Sequence, residues 1–203
     1  MIHHSTPLVL GSGSPRRREI LQTLSIPIRV IPGQADEDVH EGEAPATYLH
    51  RVVLEKLRDV AARLDGEPLG GLLVADTVVL VDDHILGKPA DEADARRMLC
   101  GLSGRAHEVH TRFAIAIPED PTQPVHEETV RTVVTFRALS DDEVARYAAS
   151  GEGLDKAGAY AAQGLGSFAV ERIEGSYPNV VGLPACEVVV ALRRAGLLQA
   201  YPP

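Results

Sequence analysis

Three arginines, Arg16, Arg17 and Arg18, open a helix-forming run directly after Gly11-Ser12-Gly13-Ser14-Pro15. The first turn of a helix carries partial positive charge and unpaired N–H groups. Three cations there oppose an isolated helix by about 0.3–1 kcal/mol each before screening. An anion docked at the same place reverses the sign: backbone N–H groups of the small residues reach its oxygens, and guanidinium groups grip them in pairs. The string lacks the G-x-x-x-x-G-K-[ST] of a Walker A loop, and Arg16 stands where a dinucleotide fingerprint needs its third glycine. A solvated helix face is the bland alternative.

Asp76 interrupts the apolar run around Leu72–Ala75 and Val78–Val81. An unpaired carboxylate in such a run is costly or shifts its pKa upward. A divalent cation, a base role toward water, or both would explain it; an Asp capping a turn is the alternative. Lys88, in Gly87-Lys88-Pro89, reads in isolation as solvent-facing, and Lys56, with Val52 and Val60 one turn away, as a packed stem with an exposed ammonium head. Asp36-Glu37-Asp38, with Glu41 and Glu43, forms an acidic loop, either solubilising or a source of oxygen ligands for Mg²⁺. His107 and His110 lack the helical i, i+4 spacing of a metal pair and are read as non-ligands, and no G-x-S-x-G elbow is present. Cys100 and Cys186 make no metal spacing and are expected to be buried free thiols in a reducing compartment, with the cytoplasm as the location. Separated basic groups imply a polyphosphate, acidic groups a divalent cation, and the lack of a strong nucleophile leaves water as the attacker. The residues alone lead to a metal-dependent hydrolase, or a binder, of a phosphorylated small molecule.

Such groups need elements to hold them, and strand and helix patterns alternate in the manner of an α/β protein. Leu8-Val9-Leu10 predicts a buried strand, and Ser14 and Pro15 predict the N-cap and first residue of a helix whose apolar face holds Ile20, Leu21 and Leu24. A second strand is expected near Ile28–Ile31, and Leu49, Val53, Leu57, Val60 and Leu64 predict an amphipathic helix over 46–64. Strand patterns at Leu72–Ala75 and Val78–Val81 precede a turn at Asp82-Asp83-His84, then a helix over about 91–100 ending near Gly101. Alternation at 109–117 and 130–136, around a Pro-bounded connection, predicts an antiparallel hairpin. Ser140–Glu143 is a capping box for a helix closed by Gly151, and a last helix is expected from Pro184 to Gly196. Seven of the 18 glycines lie between Gly151 and Gly182, implying tight turns or close approach to a ligand.

The chain has 203 residues, enough to bury about 70% of its surface. A hydrophobic content of 44% and a charged content of 24% exclude collagen, coiled coil and general disorder. A single domain over 1–203 is expected. No apolar run approaches the roughly 18 residues of a membrane span, and a secretion signal is lacking at the start, so no membrane partner is expected. The net charge of −9, from 29 acidic and 20 basic residues, disfavours nucleic acid as a partner.

The string Gly11-Ser12-Gly13-Ser14-Pro15-Arg16-Arg17 resembles the S-x-S-P-R-R opening of the Maf family of nucleoside triphosphate pyrophosphatases. So do "ADTVV" at 75–79, "GKP" at 87–89, "LSGRAHEVHT" at 102–111, "LDKAGAYAAQGLG" at 154–166 and "VERIEGSYPNVVGLP" at 170–184, all in the family's order. The resemblance implies an elongated mixed sheet flanked by helices, with two lobes around a cleft. It implies hydrolysis of dTTP or UTP at the α–β phosphate bond, a divalent cation (Mg²⁺ or Mn²⁺) and a homodimer. Asp76 matches the catalytic carboxylate, as proton acceptor or metal ligand. Ser12, Arg17, Glu37, Lys56 and Lys88 match phosphate- and metal-handling positions, with Glu37 a metal ligand. Arg16, Thr77 and Gln163 match the positions that set the dTTP/UTP subgroup apart from relatives acting on 7-methyl-GTP. Gly11 replaces a usual alanine, and Arg112 a usual glycine. The rival readings are a 7-methyl-GTP or inosine/xanthosine triphosphate activity, and a nucleotide-sensing regulator of septum formation without turnover.

Overall fold

The computed structural model describes residues 1–64 and 66–202. In chain order these form β1 (Leu8–Leu10), α1 (Pro15–Thr23), β2 (Ile28–Val30), α2 (Pro45–Ala62), β3 (Gly71–Val81), β4 (His84–Leu86) and α3 (Glu92–Leu102). There follow β5 (Ala106–Ala116), β6 (His126–Phe136), α4 (Asp141–Ala149), β7 (Val170–Glu174), α5 (Tyr177–Val181) and α6 (Ala185–Arg194). Short 3₁₀ turns occupy Ala157–Ala159 and Leu165–Ala169. The strands make one seven-stranded sheet in the order β2-β1-β3-β5-β6-β7, with β4 paired to β3. It is mixed: β1 runs parallel to β2 and β3, whereas β3–β4 and β6–β7 are antiparallel. The expected α/β class, a mixed sheet flanked by helices, is the one found.

Packing divides the chain into two compact units, Met1–Asp76 with Thr111–Thr129 and Gly182–Pro203, and Thr77–His110 with Val130–Val181. In the first, α2 lays the stripe Val53, Leu57 and Val60 on Val9, Leu72 and Val74 of the sheet. Pro45 opens α2 at the position where a missing N–H costs nothing. In the second, Met98, Leu99 and Leu102 of α3 and Val144 and Tyr147 of α4 pack with Val109, Val134 and Phe136. Ser140 and Glu143 cap α4 reciprocally, the Ser140 N–H donating to Glu143 Oε2 at 2.9 Å. No helix among the described residues is long and apolar enough to cross a membrane.

Several sequence expectations need correction. The two strand patterns on either side of Asp76 are one strand, β3, running straight through the carboxylate. The helix expected to stop near Gly101 does so, at Leu102, whose full burial draws the last turn onto the core. Ser14 occupies the N-cap of α1, but its side chain does not cap. Both cysteines are exposed rather than buried. On amphipathic helices they fall beside the buried stripes, next to Leu99 and two residues before Val188, not within them.

His107 is buried in the second unit, with Nε2 2.8 Å from the Tyr160 hydroxyl and its ring edge-on to Phe136 at 5.0 Å. Burial pulls its pKa down to about 4. The unfolded chain therefore takes up this proton first as pH falls from about 6.5, the unperturbed value. Stability from a neutral His107 is complete above that pH and lost on descent to about 4, by about 3 kcal/mol. Urea unfolding from pH 7.5 to 4.5 should show this loss in the natural chain and a shallower one in His107→Gln; parallel losses would remove His107 as the cause.

Candidate active site

The loop from β1 into α1 carries the first group of side chains. Ser12 is buried, and its Oγ accepts from Arg17 Nη1 at 2.9 Å and from the Ser14 N–H at 3.3 Å. Arg17 turns inward from the first turn of α1, and its Nε donates to the Gly182 carbonyl at 2.8 Å. Burial lowers the Arg17 pKa, the nearby Asp76 charge raises it, and Arg16 and Glu37 act in opposite senses. Of the three arginines, Arg17 is thus a buried brace, Arg16 is half-buried and Arg18 is exposed. Gly11 precedes this turn where a Cβ would come within 2.6 Å of Val74 Cγ1 and 3.0 Å of Val60 Cγ2. The absence of a side chain there makes room for two bulky β-branched neighbours.

The second group centres on Lys56. The sequence suggested an exposed ammonium head, yet Lys56 is 5% exposed. Its Nζ lies 2.7 Å from Asp76 Oδ1 and 2.6 Å from Glu37 Oε1. The apolar stripe of α2 buries the stem, and only opposite charges make the head tolerable there. Removing one partner from a buried pair of this kind costs about 3–5 kcal/mol. The same contact explains Asp76 in an apolar strand: its counter-charge comes from α2, and it caps no turn.

Glu37 is half-exposed, but its backbone is fixed. Arg51 Nη1 donates to the Asp36 carbonyl at 2.8 Å, Tyr48 Oη to the Glu37 carbonyl at 3.1 Å and Arg51 Nη2 to the Asp38 carbonyl at 2.9 Å. Three successive carbonyls are therefore tied to α2. Arg51 is itself held by Glu43, through Nε–Oε1 and Nη2–Oε2 contacts of 2.8 Å each. This pairing lowers the Glu43 carboxyl to about 2. Glu55 and Asp59 continue the stripe by accepting from the backbone N–H groups of Asp36 and Gln34. The acidic loop is an ordered appendage of α2, not a solvated fringe. Burial raises the pKa of Tyr48, and the Asp76 and Glu37 charges add to the rise.

Tyr48 and Arg51 were not singled out from the sequence. Their only trace was a polar stripe at 48, 51, 55, 59 and 63 beside the apolar one, which reads equally as helix-surface ion pairs. Ser12, Arg17, Glu37, Lys56 and Asp76 all lie in the first unit, with Arg16. Thr77, Lys88 and Gln163 belong to the second: Thr77 is half-buried in β3, Lys88 is exposed just beyond β4, and Gln163 is exposed between the two 3₁₀ turns. Arg112, in the first unit, is tied to Thr129 Oγ1 at 3.0 Å and Glu127 Oε2 at 2.6 Å.

A family model described as Maf-like protein matches residues 7–195. The chain belongs to the Maf family. This Maf-family chain is 52% identical to a Myxococcus xanthus (strain DK1622) protein named dTTP/UTP pyrophosphatase, over 95% of this chain and 94% of that one. Proteins of the same name from Geotalea uraniireducens and Citrifermentans bemidjiense are 46% and 48% identical, over 98% and 96% of this chain and 100% and 98% of their own. Among solved structures, the Ham1 protein of Staphylococcus aureus aligns over 67% of this chain and 73% of its own, at 15% identity and a TM-score of 0.41.

Removing the Arg51 side chain should release the acidic loop while leaving the sheet intact. In Arg51→Ala, cleavage within 36–43 by a glutamate-specific protease should rise about tenfold or more at unchanged circular dichroism. The natural chain should acquire the same sensitivity only as pH falls from about 4.5 toward about 2, where Glu43 is protonated and the stability it contributes is lost. An acid-stable protease reads that arm. Equal cleavage of variant and natural chain at neutral pH would show that Arg51 does not hold the loop.

Proposed function

We propose that this chain hydrolyses dTTP and UTP between the α- and β-phosphates, giving the nucleoside monophosphate and pyrophosphate. The observation that carries the reading is the near-full-length agreement, at 46–52% identity, with proteins named for that activity. The site chemistry supports it. Lys56 engages Oδ1 of Asp76, and Oδ2 is left to accept a proton from an attacking water. Asp76 is the catalytic carboxylate in this proposal. Arg17, Lys56, Lys88 and the amides after Ser12 neutralise the charge that builds on the departing pyrophosphate. Arg17 is pre-oriented for this by Ser12 and the Gly182 carbonyl, so little reorganisation accompanies the reaction. Arg16, Thr77 and Gln163 are assigned to substrate selection, Gln163 because its amide donates and accepts together, as a pyrimidine edge requires.

A divalent cation, Mg²⁺ or Mn²⁺, fits the donor set. Asp76 and Glu37 offer hard carboxylate oxygens, 2.7 and 2.6 Å from one ammonium group. Among the described residues no group of three or more His, Cys, Asp or Glu side chains is placed to hold a metal ion. An ion here would be held by one or two carboxylates together with water and substrate phosphates. When bound, such an ion supplies Lewis-acid polarisation of the phosphoryl oxygens.

Asp76→Asn keeps the size of the side chain and its acceptor for Lys56 while removing the base. It should still fold, at lower stability, because Glu37 continues to answer the Lys56 charge, and pyrophosphate release from dTTP should fall by about 10²-fold or more. Near-normal turnover would take Asp76 out of the mechanism. A preference for purine triphosphates across a substrate panel would reject the pyrimidine assignment.

A further inference from the structure

The second unit contains a carboxylate that serves none of the chemistry above. Glu152 follows α4, and both of its oxygens are directed at one short loop: Oε1 accepts from the Leu165 N–H at 2.8 Å and Oε2 from the Gly166 N–H at 2.9 Å. Oε2 also accepts from the Tyr147 hydroxyl at 2.8 Å, and that hydroxyl oxygen accepts from the Ala161 N–H at 3.1 Å. One carboxylate–phenol pair therefore fastens both ends of the segment 161–166. Burial pushes the Glu152 carboxyl up, but the Gly166 and Leu165 amides and the Tyr147 hydroxyl together hold it below its ordinary value. The pair is itself braced, since Lys156 Nζ donates to the Glu152 carbonyl at 2.5 Å.

The approach is close: a Cβ on Gly164 would collide with Glu152 Oε1, so a side chain there would have to push the carboxylate away from the Leu165 and Gly166 amides. The loop is also entered through Ala159, buried and held at φ 61°, a conformation that only a well-determined surrounding maintains in a non-glycine residue. Between the two fastened ends sits Gln163, whose side chain is exposed. Such heavy fixation of a loop whose polar apex has no structural duty is what a recognition group requires. A fixed backbone sets where the amide can reach, so that a base of one size and placement meets it and another does not.

We propose that Glu152 and Tyr147 are positioning residues for base selection, fixing both ends of 161–166 so that Gln163 meets a pyrimidine edge from one fixed place. This rests on the function proposed above and extends it to residues that touch no substrate.

The test compares UTP with GTP, as kcat/KM by pyrophosphate release and as binding affinity in the Asp76→Asn background. In Glu152→Gln an amide NH₂ must face one of the two backbone donors, so one end of the loop is released. The UTP/GTP ratio should fall about tenfold or more, the loss lying in KM for UTP with kcat little changed. Tyr147→Phe keeps the ring and should do the same, so it decides the matter if Glu152→Gln does not fold. Inhibition by inorganic pyrophosphate, which reports the phosphate half alone, should be unchanged. Gln163→Ala should lower the ratio comparably, and Glu152→Gln added to it should lower it no further. Retention of the ratio in either folded variant, full additivity with Gln163→Ala, or parallel weakening of pyrophosphate inhibition would overturn the inference. Failure of the natural chain to turn over any triphosphate overturns the proposed function instead, and the binding ratio still decides this one.

Discussion

A buried ammonium group governs the first unit. The apolar face of α2 must be packed against the sheet, and Lys56 lies on that face, so its charge enters the interior with its stem. An unpaired cation there would be untenable, and the two carboxylates at 2.6 and 2.7 Å are what make the packing possible. Asp76 must then sit in the middle of a strand, where a backbone of fixed direction delivers it to α2 without a loop's freedom. Glu37 must come from a segment that can be held in reach, and that demand falls on the polar side of the same helix. Helix, strand and loop meet because one charge needs to be answered.

The two loops that bear the assigned polar groups are ordered by a common device. Each is tied through its own backbone to side chains from a neighbouring helix or its end. In the first unit, Arg51 and Tyr48 hold the carbonyls of Asp36, Glu37 and Asp38. In the second, Glu152 and Tyr147 hold the amides of Ala161, Leu165 and Gly166. The charge complements the backbone group in each case: a guanidinium meets carbonyls and a carboxylate meets amides, with a phenol that serves either. Such charge-assisted bonds are roughly twice as strong as neutral ones, which suits short loops with little apolar surface to bury.

Charge acts at two scales in this chain. The net value of −9 opposes long polyanions whose binding depends on many phosphate contacts. In the function proposed here a triphosphate is met at short range, where a few preorganised cations outweigh a distant surplus of carboxylates. Arg17 illustrates the preorganisation. Its burial is unfavourable for a cation, yet Ser12, the Gly182 carbonyl and the charges of Asp76 and Glu37 offset it and keep the guanidinium in place.

Much was legible in the sequence because it depends on neighbours in the chain. The stripe Leu49, Val53, Leu57 and Val60 specifies α2 at 3.6 residues per turn, Ser140 and Glu143 specify the start of α4, and the ordered motif blocks identify the family. What escaped was whatever depends on residues far apart in sequence. Lys56 read as a surface lysine because periodicity places a side chain on a face without saying what stands opposite; Asp76 lies 20 residues away and becomes its partner only when β3 docks under α2. For the same reason the acidic loop with Asp36, Glu37 and Asp38 read either as solubilising or as a source of Mg²⁺ ligands with no sign of the Arg51 grip that orders it, and the cysteines read as buried by residue type alone. Local pattern determined which elements form and which face of each is apolar. Tertiary structure decided which charges meet, because the compensation of a buried charge is fixed by distance in space and has no period in the sequence.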